Sequence, residues 1–469
     1  MTALAILWPL AIALMITAAG ARAARAVALA GMAGGVLLAI ALAWTVAHDG
    51  RVVVEAGGWQ PPLGIVLVAD GLGAALMLVI AIVVAIVGAT IPEHVARPHE
   101  ARWFALWFVV WAALNAIVLS HDLFNLYVTL ELVTLAAIGL IPLGGGRDAA
   151  PAALRYMLLA LPGSLLYLLG VALLYVAHDT LDLALLADRM SAQPLTAAAL
   201  ALLFAGLALK AALAPLHAWL PSVYAAAHPV VAALLAGLVG KAPFLIALKV
   251  WQAGLPPSFA EPAGWIFGGL GATAIVWCSA LALRHVRLRG VLAYSSVAHT
   301  GYLFVWLAFA TAGAWHGAVY VAVAHALAIA SLFLVVLGIE AATGSDDLDG
   351  VRGLSTTRPR AFYALALAAV SIMGMPPSGG FVGKWLMLMA AVQAEQWWAV
   401  LALIAGSLLA AGYMFRVLRL AFLPGPAGTA VRATHPRTEI AALVLAFASI
   451  VVGLVPALGR ALLASGGPR

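Results

Sequence analysis

Apolar runs of roughly 20 residues recur from one end of the chain to the other, parted by short breaks that hold charge, proline or glycine. Each run, as an α-helix, is long enough to cross the ~30 Å hydrocarbon core of a bilayer while satisfying its own backbone hydrogen bonds. Reading the runs between breaks predicts about fourteen helices. They lie near residues 3–19, 26–47, 70–91, 103–120, 123–142, 154–177, 196–220, 229–252, 263–283, 290–311, 315–339, 361–393, 397–422 and 438–459. A membrane barrel would instead show short alternating segments. One piece departs from the pattern: in 52–69, Val-Val-Val-Glu and Gly-Ile-Val-Leu-Val flank Gly57-Gly58-Trp59-Gln60-Pro61-Pro62, which predicts a short extended hairpin on the membrane surface.

Two of the predicted helices are interrupted by proline. The seventh carries Lys210, Pro215, His217 and Pro221 within twelve residues, and the twelfth carries Pro376 and Pro377 in GMPPSGGFVGKW, just before Lys384. Proline lacks the backbone donor, so Pro215 and Pro221 are expected to free the carbonyls of Ala211 and His217, and Pro376 and Pro377 those of Ile372 and Met373. Paired discontinuous helices point to an inverted repeat with its working site at mid-membrane depth. The expected organisation is an all-α membrane domain: 1–102 with helices 1–3 and the hairpin, a first five-helix repeat over 103–252 (helices 4–8), a second over 253–422 (helices 9–13), and 423–469 with helix 14 and the tail.

Composition agrees with this. The 469 residues are 65% hydrophobic and 9% charged, with mean hydropathy +1.10, far outside the soluble globular range. The longest polar connection, 341–360, is too short for a soluble domain. The first run is followed by Ala21-Arg22-Ala23, as a signal peptide would be, but no positive charge precedes it, so it is read as a retained helix. With Cys278 as the lone cysteine, an intrachain disulfide and a cysteine-rich metal or cluster site are excluded. The net charge of +6 does not indicate nucleic acid, because of where the charge lies. Counted in alternate loops, sixteen arginines, among them Arg432, fall on one side, and Arg51, Arg189, Arg460 and Arg469 on the other. By the positive-inside rule the arginine-rich side is cytoplasmic and both termini lie outside. All four lysines, Lys210, Lys241, Lys249 and Lys384, sit inside apolar segments, the reverse of the usual surface role.

The chemistry sits with those lysines. The ionisable residues within apolar segments are Glu131, Lys210, His217, Lys241, Lys249, His299, His325 and Lys384, with Asp70, His121 and Asp122 at segment mouths. A charge at the centre of a membrane helix costs at least ~2.5–3.5 kcal/mol on insertion scales. Glu131 and Lys210 are expected to pair, either as a static ion pair that fixes register or as a switch: a lysine that loses its carboxylate partner in low dielectric releases its proton to a neighbour. His217, Lys241, His299 and His325 are candidate stepping stones, since an imidazole both gains and loses a proton readily. The plainer alternatives are a helix cap for His217, a packing role for His299 beside Ser295, Ser296, Thr300 and Tyr302, and snorkelling for Lys249. His121 with Asp122, and His94 with His99, make poor metal sites, and Gly144-Gly145-Gly146 has neither the strand nor the lysine of a phosphate cradle.

The runs HDLFNLYVTLELVTLAAIGLIPLGG, ALKAALAPLHAWLPSVYAAAHPVVAALLAGLVGKA, RGVLAYSSVAHTGYL and GMPPSGGFVGKW closely resemble the antiporter-like subunits shared by respiratory complex I, membrane-bound hydrogenases and Mrp-type sodium/proton antiporters. The resemblance spans essentially all the predicted helices. It implies that Glu131, Lys210 and Lys241 are the acidic and basic residues of helices 5, 7 and 8, that His299 and His325 are central-axis residues of helices 10 and 11, and that Lys384 is the exit-side lysine of helix 12. It further implies that the chain has no cofactor of its own, that its partners are other small membrane subunits, and that Na⁺ exchange or a redox arm supplies the driving force for proton movement; the expected setting is a bacterial-type inner membrane with its lipid. The wording DLFNLYV leans toward the Mrp and hydrogenase branch, a lysine at the position of Lys384 is shared by the D-type Mrp subunit and one complex I subunit, and the end after helix 14 lacks the long lateral-helix extension of the largest complex I subunit; the expectation taken is the D-type Mrp subunit. The alternatives are a proton-pumping subunit of a complex I-like dehydrogenase or membrane-bound hydrogenase, and a non-conducting scaffold. Ile329 stands where several relatives carry lysine, so a relay through helix 11 rests on His325.

Overall fold

The computed structural model describes residues 1–144, 146–425 and 435–455. Gly145, Arg432, Arg460, Arg469 and the expected end of the last helix at 456–459 lie outside the described residues. Among the described residues, eleven helical stretches are long and apolar enough to cross a membrane.

The first two predicted helices are one helical stretch, α1 (Thr2–Asp49), broken at Gly20, whose φ of 66° is open to glycine at little cost. Trp8 Nε1 donates to the Gly31 carbonyl at 2.9 Å. Along a straight helix those residues would stand about 35 Å apart, so the two halves fold back on each other. The predicted hairpin follows: β1 (Val52–Glu55) pairs antiparallel with β2 (Val66–Ala69), Val52 opposite Ala69. Asp70 then caps α2 (Gly71–Gly88), its Oδ1 accepting from the Gly73 N–H at 2.7 Å. Next come α3 (Arg97–Leu119), α4 (Leu123–Gly144) and α5 (Ala149–His178).

The seventh predicted helix is interrupted as expected, though its bounds differ. α6 (Pro194–Lys210) stops at the lysine, 211–219 is irregular, and α7 (Leu220–Ala226) runs past the predicted end at 220. The His217 carbonyl is not left free, because the Leu220 N–H takes it up at 3.1 Å. The eighth predicted helix needs correction. It is two helices, α8 (Pro229–Gly237) and α9 (Ala242–Gln252), joined by a tight turn over Val239–Lys241. Pro243 has no N–H for the Val239 carbonyl four residues back, so the ladder cannot pass that point intact. The ninth also changes pitch: α10 (Pro257–Thr273) passes through a π-turn at Ala274–Cys278 into α11 (Ser279–Arg284).

The remaining helices are α12 (Leu288–Val305), α13 (Ala312–Thr343), α14 (Pro359–Met373), α15 (Gly379–Gln393), α16 (Trp397–Phe422) and α17 (Pro436–Leu454). The break between α14 and α15 is the second expected interruption. Gly374 turns the chain with φ 77°, and Ser378 caps α15 through its Oγ and the Phe381 N–H at 3.1 Å.

α13, apolar on nearly all sides and almost wholly buried, packs against α8, α12, α14, α15 and α17. The outer faces expose leucines such as Leu14, Leu37, Leu165, Leu401 and Leu408, as lipid-facing surfaces do. Where helices touch most closely the contact residues are small. A Cβ on Gly163 would come within 3.1 Å of the Gly206 carbonyl and 3.2 Å of Lys210 Cγ, so glycine there lets α5 and α6 meet beside the lysine.

Candidate functional site: a line of buried amines and imidazoles

α6 ends at Lys210, which puts its amine at the edge of the irregular stretch, where backbone and side chains can both serve as partners. Nζ lies 2.5 Å from Glu131 Oε1 on α4 and 3.3 Å from Thr134 Oγ1, one turn further along. The expected pair is therefore formed. It is asymmetric: the lysine side chain is 3% exposed and the glutamate 22%, on the α4 face that also exposes Val128, Leu132 and Leu135. The irregular stretch is held over the pair by Trp219, which stacks on Tyr156 at 4.3 Å between ring centres and donates to the Leu209 carbonyl at 3.3 Å.

Lys241 occupies the unpredicted break between α8 and α9. Its amine donates to the Ala236 carbonyl and lies 2.8 Å from His325 Nδ1 on α13. The break thus supplies a carbonyl acceptor for an ammonium that no carboxylate neutralises among the described residues. Two small cavities, each about 10 Å³, adjoin the two lysines, one at Lys210 and the other at Lys241. One is lined by Lys210, Thr134 and Tyr156, the other by Lys241, His299 and His325, and Tyr224 and Gly240 line both. Each has room for about one water.

From His325 the line continues by ring contact. Its imidazole stacks on that of His299, with 4.2 Å between centres, and its Nε2 is buried without a partner among the described residues. His299 Nδ1 sits 2.8 Å from the Ser295 carbonyl, which fixes the ring. At the second proline break Lys384 Nζ donates to the Ile372 carbonyl at 2.9 Å and the Met373 carbonyl at 3.3 Å, the two oxygens expected from the sequence to be released by Pro376 and Pro377. The same amine stands 4.7 Å from the centre of the Tyr302 ring, whose face attracts a cation. Tyr302 in turn lies 5.6 Å from His299.

The structure thus places Glu131, Lys210, Lys241, His325, His299 and Lys384 in one succession. Two sequence candidates stand elsewhere. His217 faces Cys278 Sγ at 3.9 Å and the Tyr294 ring at 6.3 Å between centres, and its Nδ1 has no partner among the described residues. Lys249 does not snorkel: its amine donates to the carbonyls of Ile117, Val118 and Ser120 at 3.0, 2.6 and 2.7 Å, closing the C-terminal end of α3. Ile329 lies on α13 one turn beyond His325 and is fully buried. The sequence reading missed Thr134, Tyr156, Tyr224 and the Ala236 carbonyl. A tyrosine within an apolar run is a weak signal, and the carbonyl carries none without the break at Leu238.

Set beside known proteins, residues 120–410 match the family described as NADH:quinone oxidoreductase/Mrp antiporter, TM. The chain is 36% identical over 454 residues to the N-type subunit of the NADH-quinone oxidoreductase of Desulforudis audaxviator, an alignment covering 92% of this chain and 89% of that one. It is 30% identical over 395 residues to the D-type subunit of the Na⁺/H⁺ antiporter of Alkalihalophilus pseudofirmus, covering 83% and 80%. Its fold matches a chain of the membrane-bound sulfane sulfur reductase, an archaeal respiratory membrane complex, with TM-score 0.92, 25% identity and coverage of 99% and 96%.

Proposed function

This chain belongs to the NADH:quinone oxidoreductase/Mrp antiporter transmembrane family, and from that premise we propose that it is a proton-translocating, antiporter-like subunit of a multi-subunit membrane complex. The observation that carries the reading is the succession Glu131, Lys210, Lys241, His325, His299, Lys384, in which each member is a titratable group and adjoining members meet directly, across small cavities lined by Tyr224 or beside a shared aromatic ring.

When Glu131 is close to Lys210 the ammonium is held. When the carboxylate is drawn off or protonated, the amine in its 3%-exposed site favours the neutral form and gives its proton toward Tyr224 and Lys241. The carbonyls of Ala236, Ile372 and Met373 seat the proton as it rests on each lysine. His217 has no place on this line. The partners are other membrane subunits. The reading includes cation/proton exchange of the Mrp type, a bacterial-type inner membrane with the arginine-rich face inside, and 103–252 and 253–422 as the two repeated halves. A redox-driven reading is favoured by the 36% identity to an N-type quinone oxidoreductase subunit.

The test is Glu131→Gln and Lys210→Met in the assembled complex in proteoliposomes. Proton flux is expected to fall at least about tenfold, a barrier change of about 1.4 kcal/mol. Unchanged flux with normal assembly overturns the relay. A Na⁺ gradient that drives proton movement, against quinone-dependent pumping, separates the two couplings.

A further inference from the structure

A cleft of about 670 Å³ opens on the face that carries Arg51 and Arg189, opposite the arginine-rich one. Arg51, Asp70, His121, Asp188, Lys249 and Gln252 line it. Beneath it lies an apolar cavity of about 50 Å³, whose lining includes Lys241. Leu76 on α2, Val118 on α3 and Leu245 on α9 line both spaces and form the wall between them. Lys241 in turn also lines the cavity that holds His299 and His325. One residue, Lys241, therefore lines both the mid-membrane line and the column beneath the cleft.

We propose that Lys241 is a branch point, joined to the arginine-poor face by a passage through this cleft, with Leu76, Val118 and Leu245 as a hydrophobic gate that conducts only when water fills it. The inference rests on the proton-relay reading above. An apolar constriction with polar groups beyond each end is dry at rest and opens by wetting, a means by which channels gate. The 50 Å³ space holds a short water file, and water enters an apolar cavity when polar partners stand at its ends. Polar residues stand on both sides of it, Lys241 in its wall and the cleft groups above. Gln252 Nε2 is buried with no partner among the described residues and adjoins the cleft, a donor available to such water. The gate residues stand on anchored helices. Asp70 caps α2 six residues before Leu76, and the Lys249 amine grips the carbonyl of Val118 itself at 2.6 Å. Lys249 thus ties α9, which carries Leu245, to the end of α3, so the width of the neck depends on that one ammonium.

The test uses the assembled complex in vesicles of both orientations and a small, membrane-impermeant cationic methanethiosulfonate, with labelling of this chain read by its mass. The native Cys278 is buried and gives a low background. Single variants Gln252→Cys in the cleft, Leu76→Cys and Leu245→Cys in the neck, and lipid-facing Leu37→Cys as control are compared. Reagent applied to the arginine-poor face is expected to label Gln252→Cys quickly and the neck cysteines at least about tenfold faster than the control. Leu245→Trp, which fills the neck, is expected to remove that accessibility at Leu76→Cys. Neck cysteines that react no faster than Leu37→Cys, or react only from the arginine-rich face, overturn the passage. Such a result leaves a flux loss in Glu131→Gln standing. If Glu131→Gln keeps its flux while the neck is labelled from the arginine-poor face, the relay reading fails and water entry at the neck remains.

Discussion

Lys384 shows how a single cation is kept in an apolar interior. No carboxylate is within bonding distance among the described residues, yet the ammonium has two backbone carbonyls and the face of Tyr302. Gly374 makes room for it: φ is 77°, and a Cβ there would come within 2.6 Å of Lys384 Cδ. Gly374→Ala is therefore expected to strain the backbone by about 1–3 kcal/mol and unseat the amine. Proton flux in the reconstituted complex should fall, while Gly313→Ala on α13, where a Cβ meets only Ala390 Cβ at 3.8 Å, leaves it unchanged. At the mouth of the cleft, burial first, then Lys249 and Arg51, lower the His121 imidazole from 6.5 to about 4. The unfolded chain then binds a proton at higher pH than the folded one. Stability from this group is complete above pH 6.5 and is lost as pH falls from there toward 4. His121→Asn should flatten the dependence of thermal unfolding on pH between 4 and 6.5, measured on the intact complex.

At the scale of the element, the breaks do the chemical seating. Proline announces two of them, at Pro215 and at Pro376-Pro377, while the third, at Val239–Lys241, is produced by a proline inside the next helix, and the sequence there reads as continuous. Pro243→Ala supplies the missing N–H for the Val239 carbonyl and favours an unbroken α8–α9. The expected outcome is reduced flux, because Lys241 loses its carbonyl partner at Ala236, with a melting temperature that does not fall. A melting temperature that drops with flux retained would show that the break serves packing instead.

At the scale of the molecule, the end of α7 and the connection that follows it are pinned to α12 and α13 by one arginine. Arg289 forms an ion pair with Glu340 and donates to the carbonyls of Ala225 and Ala227 at 2.8 and 2.6 Å. Arg289 and Glu340 are 12% and 21% exposed. Arg289→Ala leaves a partly buried carboxylate without its cation, at a cost of about 3–5 kcal/mol. Lowered thermal stability of the complex, partly restored by the double variant Arg289→Ala/Glu340→Ala, is the expected result.

The membrane class, the hairpin, the two proline breaks, the Glu131–Lys210 pair and the family were legible in the sequence. Each depends on local chemistry or on a run of residues that the chain spells out: apolar length, proline's missing donor, a costly charge that requires a partner, and long matching motifs. The carbonyls of Ile372 and Met373 were legible for the same reason. What the sequence left open depends on which surfaces meet. Lys249 looks like a snorkelling end residue until α3 is found to finish beside it. His217 looks like the next stop after Lys210 until the irregular stretch turns it toward Cys278. Tyr224 becomes notable only because α7 sets it between two cavities. A helical sequence fixes which residues share a face, but the rotation of each helix against its neighbours is set by packing across many contacts. That packing decides which of the ionisable groups within the apolar segments stand in line.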